Sequence, residues 1–253
     1  MRALLLAAGL GTRLRPLTDT VPKCMLDIDG RPLLDHWIGL LGDAGVNEIL
    51  VNLHHLPAPV ERYLASVHRP GLRISTVREE RLLMTGGTVL QNRAFFEGGP
   101  AMVVHADNLS MFDVPAFVHA FEARPSHIDI TMMTFRTDTP KACGIVELDS
   151  EGTVVAFHEK VQSPPGDLAN GAVYVFAPTV IDFLATLRKD TIDLSTEVLP
   201  RFLGRMNTFE NTVYHRDIGT IESLVTARAE YPAAVEAARR SGASRPVVQG
   251  SWT

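Results

Sequence analysis

Met1-Arg2-Ala3-Leu4-Leu5-Leu6 runs without a break into Ala7-Ala8-Gly9-Leu10-Gly11-Thr12-Arg13-Leu14-Arg15-Pro16-Leu17-Thr18, and Pro22-Lys23 follows shortly after. The first six residues predict a short buried strand. A strand that opens into a glycine-spaced loop offers backbone N–H groups to an anion. Gly9 and Gly11 let the backbone approach a ligand closely. Arg13 adds a bidentate donor fork and Lys23 a point charge. The stretch therefore predicts a phosphate cradle. It is not a dinucleotide fingerprint, because the third glycine of G-x-G-x-x-G would fall on Leu14. Nor is it a Walker loop, since no G-K-[ST] closes it.

Working outward, the alternation of periods sets the fold class. Leu26 to Pro32 predicts a short extended piece and a turn. Leu33, Leu34, Trp37, Ile38, Leu40, Leu41 and Ala44 share one helical face, with Gly45 beyond the end. Strands are expected at residues 46–53, 72–77, 101–105 and 128–135. Helices are expected at 60–67, from Thr88 to Ala94, and after the cap Asp113. This rhythm predicts a doubly wound, mostly parallel sheet in an α/β fold. Ligands of such sheets bind outside the carboxyl ends of the strands. The glycine loop and Asp107 both stand at such ends and can share one crevice.

The second half is richer in β-structure. Cys143 to Leu148 and Thr153 to Phe157 flank the hairpin signal Asp149-Ser150-Glu151-Gly152. Asn170-Gly171 precedes a strand expected from Ala172 to Phe176. Ser195 is the expected cap of a helix carrying Val198, Leu199, Phe202 and Leu203. A further helix is expected near Thr220, Ala233 to Arg240 reads as helical, and 241–253 reads as a loosely held tail. This half is a β-rich lobe inserted on the sheet, with no linker separating it.

Composition narrows the class. The 253 residues are 45% hydrophobic and 21% charged, with a formal net charge of −5 and no long basic run. Nucleic acid is thus not the expected partner. No stretch approaches the roughly 20 apolar residues of a membrane helix, and no signal peptide is read at the start. Cys24 and Cys143 are far apart, and no zinc-ligand spacing is found among nine histidines. A reduced, cytoplasmic protein is expected. There is no hexapeptide series of the left-handed β-helix kind. Glu79 and Glu80 are read as surface charges, and His105 and His215 as supporting groups.

The segment from Leu6 to Thr18, with Val21-Pro22-Lys23, resembles the signature of the sugar-1-phosphate nucleotidylyltransferases, the NDP-sugar pyrophosphorylases. The resemblance continues in order through Gly86-Gly87, Asp107, Glu159-Lys160, Asn170-Gly171 and Asp217-Ile218-Gly219-Thr220. It implies a single Rossmann-like domain over 1–230. Residues 1–135 would be its nucleotide part and 136–230 its sugar-phosphate part, with a short helix and tail over 231–253. It implies attack by a sugar-1-phosphate oxygen on the α-phosphorus of a nucleoside triphosphate (NTP), releasing pyrophosphate. By motif, Leu6, Ala8, Gly9, Gly11, Thr12, Gly86 and Gly87 would hold the nucleotide. Arg13, Lys23 and Asp107 would be catalytic, with Arg13 on the departing pyrophosphate. Asp107 and Asp217 would ligate Mg²⁺. Gly144, Glu159, Lys160 and Asn170 would bind the sugar phosphate. The expected partners are an NTP and a sugar-1-phosphate, and a homo-oligomer is left open.

The chemistry fits such a set. A phosphate monoester is mostly dianionic near neutral pH, with a second pKa of about 6, so the nucleophile needs no general base. The site needs alignment and charge neutralisation. The chain departs from the family pattern at four places: Cys24 and Val161 replace prolines, Ala106 replaces glycine, and the pair His215-Arg216 stands before Asp217 where an aromatic is common. Met84-Thr85-Gly86-Gly87-Thr88 lacks the glutamine of thymidylyl-type members. The lean is to GTP with a mannose- or heptose-type sugar phosphate. The alternatives are UTP or dTTP, a cytidylyltransferase on a non-sugar phosphate, and a non-catalytic NDP-sugar sensor.

Overall fold

The computed structural model describes residues 1–241. β1 (Arg2–Leu6) enters the glycine loop, which closes through short 3₁₀ turns. A small antiparallel pair, β2 (Asp27–Ile28) and β3 (Arg31–Pro32), precedes α1 (Leu33–Asp43). There follow β4 (Glu48–Leu53), α2 (Pro57–Ser66), β5 (Arg73–Arg78), α3 (Met84–Gln91), β6 (Ala101–His105), β7 (Asn108–Met111) and α4 (Val114–Glu122). β8 (Ile130–Arg136) leads to the hairpin β9 (Gly144–Leu148) and β10 (Val154–Glu159), then β11 (Leu168–Phe176) and α5 (Pro178–Thr186). β12 (Met206–Glu210), β13 (Tyr214–Asp217) and α6 (Ile221–Ser241) complete the described chain.

The main sheet has nine strands. β5, β4, β1 and β6 lie side by side and parallel. β11 joins β6 antiparallel, β8 pairs with the other edge of β11, and β12 runs parallel to β8. β9 and β10 extend from the early part of β11. Thus β10 and β11 oppose the direction of the other strands, and the sheet is mixed but mostly parallel. From β1 the chain steps to β4 on one side and returns to β6 on the other. That reversal opens a crevice at the carboxyl end of β1.

Successive β1 side chains enter opposite layers, as the two-residue period of a strand demands. Ala3 and Leu5 join Trp37, Ile38 and Leu41 of α1 and Phe117 and Phe121 of α4. Leu4 joins Val89 of α3 and Val180, Ile181 and Leu184 of α5. A third cluster lies under the glycine loop. There Leu14 packs with Ile28, Leu33, Leu109, Ile218 and residues Leu224, Ala227 and Tyr231 of α6. The leucine that argues against a dinucleotide site thus has a positive role: it anchors the loop.

Several boundaries differ from the sequence expectations, each for a tertiary reason. α3 starts at Met84, not Thr88, so Gly86 and Gly87 lie inside it. Their N–H groups donate to the Ile192 carbonyl at 2.8 and 3.2 Å. The turn after α5 is capped by Asp193, whose carboxylate accepts from Thr196 N–H at 2.9 Å, and not by Ser195. That segment is a π turn followed by a 3₁₀ turn, with Pro200 near the start of the latter. β11 begins at Leu168, so Asn170-Gly171 lies within the strand, at a register shift. α6 passes through Tyr231-Pro232 as one helix. β7 pairs with β13, a non-local contact that local patterning does not reveal. The expected tail beyond α6 lies outside the described residues.

Candidate active site

The glycine loop is fixed at one end and open at the other. Gly11 has φ 62°, a left-handed conformation that favours glycine. A Cβ there would stand 2.8 Å from Thr18 Cγ2 and 3.4 Å from Lys23 Cβ. The Thr18 hydroxyl donates to the Gly11 carbonyl at 2.7 Å, and His55 Nε2–H donates to the Thr18 carbonyl at 3.0 Å. A Cβ on Gly9, by contrast, would meet no protein atom within 4 Å. Among the described residues, the N–H groups of Gly9, Leu10 and Gly11 donate to no protein acceptor. A braced loop with free donors and open space above it suits an anion.

Lys23 links the loop to two strand ends. It is 7% exposed. Its Nζ lies 2.7 Å from Asp107 Oδ2 and 3.8 Å from Asp217 Oδ1. Asp107 lies two residues past the end of β6 and Asp217 ends β13; β7 and β13 pair Asn108 with Asp217, which brings the two carboxylates together. Burial acts to raise the Asp107 pKa, but the charge of Lys23, that of His105 and the bond from Lys23 prevail and hold it below the usual carboxylate range. Asp217 sits above that range. Burial raises it, Lys23 works against this, Asp107 adds to the rise, and Arg13 and Lys160 oppose it. Arg13 completes the cluster: a Cβ on Gly219 would lie 2.9 Å from both an Arg13 guanidinium nitrogen and Asp217 Oδ2. The side chains of Asp107 and Asp217 remain 41% and 51% exposed, so their free oxygens can still accept a ligand.

Beside this cluster lies a cavity of about 170 Å³, walled by Leu6, Ala8, Gly9, Lys23, Asp107 and the α3 residues Met84, Thr85 and Thr88. Glu79 also lines it and is 6% exposed. The expectation of a surface charge therefore holds for Glu80 but not for Glu79, which the end of β5 turns inward. Glu79 Oε1 accepts from Asn52 Nδ2 at 2.9 Å and from the Thr88 hydroxyl at 2.5 Å. Its Oε2 accepts from Leu83 N–H at 3.3 Å. Gly86 and Gly87 stand behind this wall. A Cβ on Gly87 would come within 2.0 Å of the Asp190 carbonyl oxygen, so the glycine pair permits a close approach of protein backbone. Cys24, also on the wall, is buried, and burial pushes its thiol up to about 12.

The residues expected to meet the sugar phosphate gather at the open end of the β9–β10 hairpin. Gly144 pairs with Glu159 across the strands. A Cβ on Gly144 would lie 2.7 Å from Glu159 Oε2 and 2.7 Å from Phe157 Cζ. Lys160 Nζ reaches Glu159 Oε1 at 3.2 Å and is otherwise exposed. Its charge acts on Asp217, which puts this lobe beside the carboxylate cluster. Asn170 Nδ2 donates to the Tyr174 hydroxyl at 2.7 Å, and its Oδ1 accepts from Ala172 N–H at 2.9 Å. Behind Asp217, His215 lies 4.2 Å from the Phe135 ring between centroids, and burial drives its pKa down to about 3. This neutral imidazole against an aromatic ring forms the local wall. Sequence reading missed Asn52 and Glu79. A signal existed for Asn52, a polar residue inside the apolar run Ile49-Leu50-Val51-Asn52-Leu53.

No helix among the described residues is long and apolar enough to cross a membrane. The nucleotidyl transferase family model matches residues 2–234. Mannose-1-phosphate guanylyltransferase of Mycobacterium tuberculosis is 34% identical over 232 residues, 90% of this chain. The mannose-1-phosphate guanylyltransferase catalytic subunit beta of Xenopus tropicalis is 30% identical over 91% of it. The chain spans 64% of the length of each of these relatives. The solved structure of HddC from Yersinia pseudotuberculosis complexed with GMP-PN shares the fold, with a TM-score of 0.77 at 23% identity. It covers 91% of this chain and 99% of that one. With the family model matched over nearly the whole chain, and a braced glycine loop facing two strand-end carboxylates, this protein belongs to the nucleotidyl transferase family.

Proposed function

We propose that this chain joins GTP to mannose-1-phosphate or a closely similar hexose or heptose 1-phosphate, forming an NDP-sugar and pyrophosphate. The observation that carries this is the convergence of Arg13, Lys23, Asp107 and Asp217 between the open loop and the β9–β10 hairpin. The guanylyltransferase relatives support the base and the sugar. In the reaction, a phosphate oxygen of the sugar phosphate forms a bond to the α-phosphorus, and the bond from that phosphorus to the pyrophosphate oxygen breaks.

This chain's residues bind, align and neutralise. The N–H groups of Gly9, Leu10 and Gly11, with Thr12 and Arg13, hold the triphosphate, and Arg13 stabilises the leaving pyrophosphate. Lys23, already oriented by Asp107, faces the transferring phosphoryl group. Gly144, Glu159, Lys160 and Asn170 form the sugar-phosphate side. Asp107 and Asp217 suit Mg²⁺: both offer hard carboxylate oxygens, and both keep solvent-facing oxygens. No group of three or more metal-type ligands gathers among the described residues. Mg²⁺ commonly takes one or two carboxylates and fills its remaining positions with water and phosphate oxygens. Bound there, it would supply charge neutralisation on the phosphates. The Glu79 carboxylate in the cavity favours a base edge that presents adjacent N–H donors, as guanine does; uracil flanks its single N–H with two carbonyls that a carboxylate repels. The two free thiols suit a reducing compartment, and we place the reaction in the cytoplasm.

A matrix of four NTPs against a panel of sugar-1-phosphates with Mg²⁺, read by pyrophosphate release, tests the proposal. GTP with mannose-1-phosphate should be the fastest pair. Release with no pair would remove the catalytic reading, and a faster UTP or dTTP pair would remove the base assignment.

A further inference from the structure

Asn52 is the last residue but one of the apolar strand β4, is 2% exposed, and has no part in the chemistry above. Its side-chain amide nevertheless joins three elements. Oδ1 accepts from Ala7 N–H at 2.7 Å, at the root of the phosphate loop. Nδ2 donates to Glu79 Oε1 at 2.9 Å, at the end of β5, and to the Thr88 hydroxyl at 3.3 Å, on α3. Ala7, Asn52, Glu79 and Thr88 all line the same cavity. The amide cannot be reversed: a flip would set oxygen against the carboxylate and NH₂ against an N–H. All three of its bonds are buried or partly buried, where an unmatched partner is costly.

We infer that Asn52 is a positioning residue that locks the base-facing wall of Glu79 and Thr88 to the phosphate loop. The base and the triphosphate then keep one register, and the α-phosphorus is presented in line only when the base is seated. This rests on the reading that the cavity takes the base of an NTP. A base seated through this lock affects kcat as well as KM, because the alignment it secures matters in the transition state.

Asn52→Asp is the first test. It keeps the acceptor for Ala7 but turns the other end into an oxygen facing Glu79. With the full chain, saturating mannose-1-phosphate and either GTP or UTP, kcat with GTP should fall by about tenfold or more. The GTP-over-UTP preference should shrink with it, and KM for the sugar phosphate, read by varying it at saturating GTP, should stay within about twofold. Thr88→Val should shift both quantities in the same direction, less strongly. The double variant Asn52→Asp/Glu79→Gln restores a donor opposite an acceptor with the polarity exchanged. It should recover kcat about fivefold or more over Asn52→Asp, while the base preference stays altered. This recovery also covers the case in which Asn52→Asp alone folds poorly. Unchanged kcat and base preference in Asn52→Asp and Thr88→Val, or no recovery in the double variant, would overturn the inference. Wild-type protein that turns over no NTP would overturn instead the reading on which it rests.

Discussion

Two alanine substitutions two residues apart should have opposite effects. At Gly11, alanine must adopt φ 62° and push its Cβ against Thr18 Cγ2 at 2.8 Å. The left-handed conformation costs about 1–2 kcal/mol. Moving Thr18 breaks its 2.7 Å bond to the Gly11 carbonyl, which is worth about 1 kcal/mol. The stiffer unfolded chain returns about 0.4–1 kcal/mol, so Gly11→Ala should destabilise by about 2 kcal/mol net. At Gly9 no protein atom lies within 4 Å and the backbone is not in the left-handed region. Gly9→Ala should therefore leave stability unchanged or raise it by up to about 1 kcal/mol. If the open space belongs to a phosphate, the new methyl displaces it, and a misplacement of about 1 Å can cost about 10²-fold in rate. Urea denaturation gives the stability ranking, and pyrophosphate release gives kcat/KM for the NTP. A Gly9→Ala protein that is stable and fully active would refute the cradle. A Gly11→Ala protein as stable as wild type would refute the account of the loop brace.

The other expectations use separate parts of the structure. Asp107→Asn and Asp217→Asn should each lower turnover by at least about 10²-fold with unchanged circular dichroism, as for loss of a metal-holding carboxylate; near-wild-type rates in both would remove that role. Gly87→Ala drives a Cβ to within 2.0 Å of the Asp190 carbonyl oxygen, a backbone atom that cannot swing away. A loss of about 1–3 kcal/mol or more is expected by thermal or chemical denaturation, and a neutral result would contradict the packing of α3 on 190–192. In native protein at pH 8, iodoacetamide should modify Cys143 well before Cys24, which is 2% exposed with its thiol pushed up to about 12. Mass spectrometry showing Cys24 alkylated first would refute its burial. The folded state keeps the Cys24 proton up to about 12 while a free thiol releases it near 9.0, so this group's contribution to stability is complete below the lower value and declines through that interval.

The parts of the fold that were legible are those written in local period and turn chemistry. β1, α1, the Asp113 cap and the β9–β10 hairpin each carry their signal within a dozen residues. Asp107 and Asp217 were legible as strand-end carboxylates because strand ends are visible, although β7, which pairs with β13 to bring them together, was not. The Gly86-Gly87 pair shows the ambiguity of a glycine. Its freedom signals that something approaches closely, but not whether that is a ligand or, as here, the protein's own 190–192 backbone.

Glu79 and Glu80 mark a sharper limit. They are adjacent, identical in type, and follow an edge strand whose residues are all exposed or only partly buried, without strict alternation. Local sequence cannot say which one turns inward. That choice is made from a distance. Asn52 on the neighbouring strand supplies a donor for one carboxylate, Thr88 on α3 supplies another, and His54 Nδ1–H holds the Glu79 carbonyl at 2.8 Å. A buried carboxylate without such donors would be prohibitively costly. The position facing the cavity is therefore the one that β4 with its exit and α3 are arranged to receive. An asparagine interrupting an apolar strand was the local trace of that arrangement, because a buried amide must find partners and so predicts other polar groups at the same strand end.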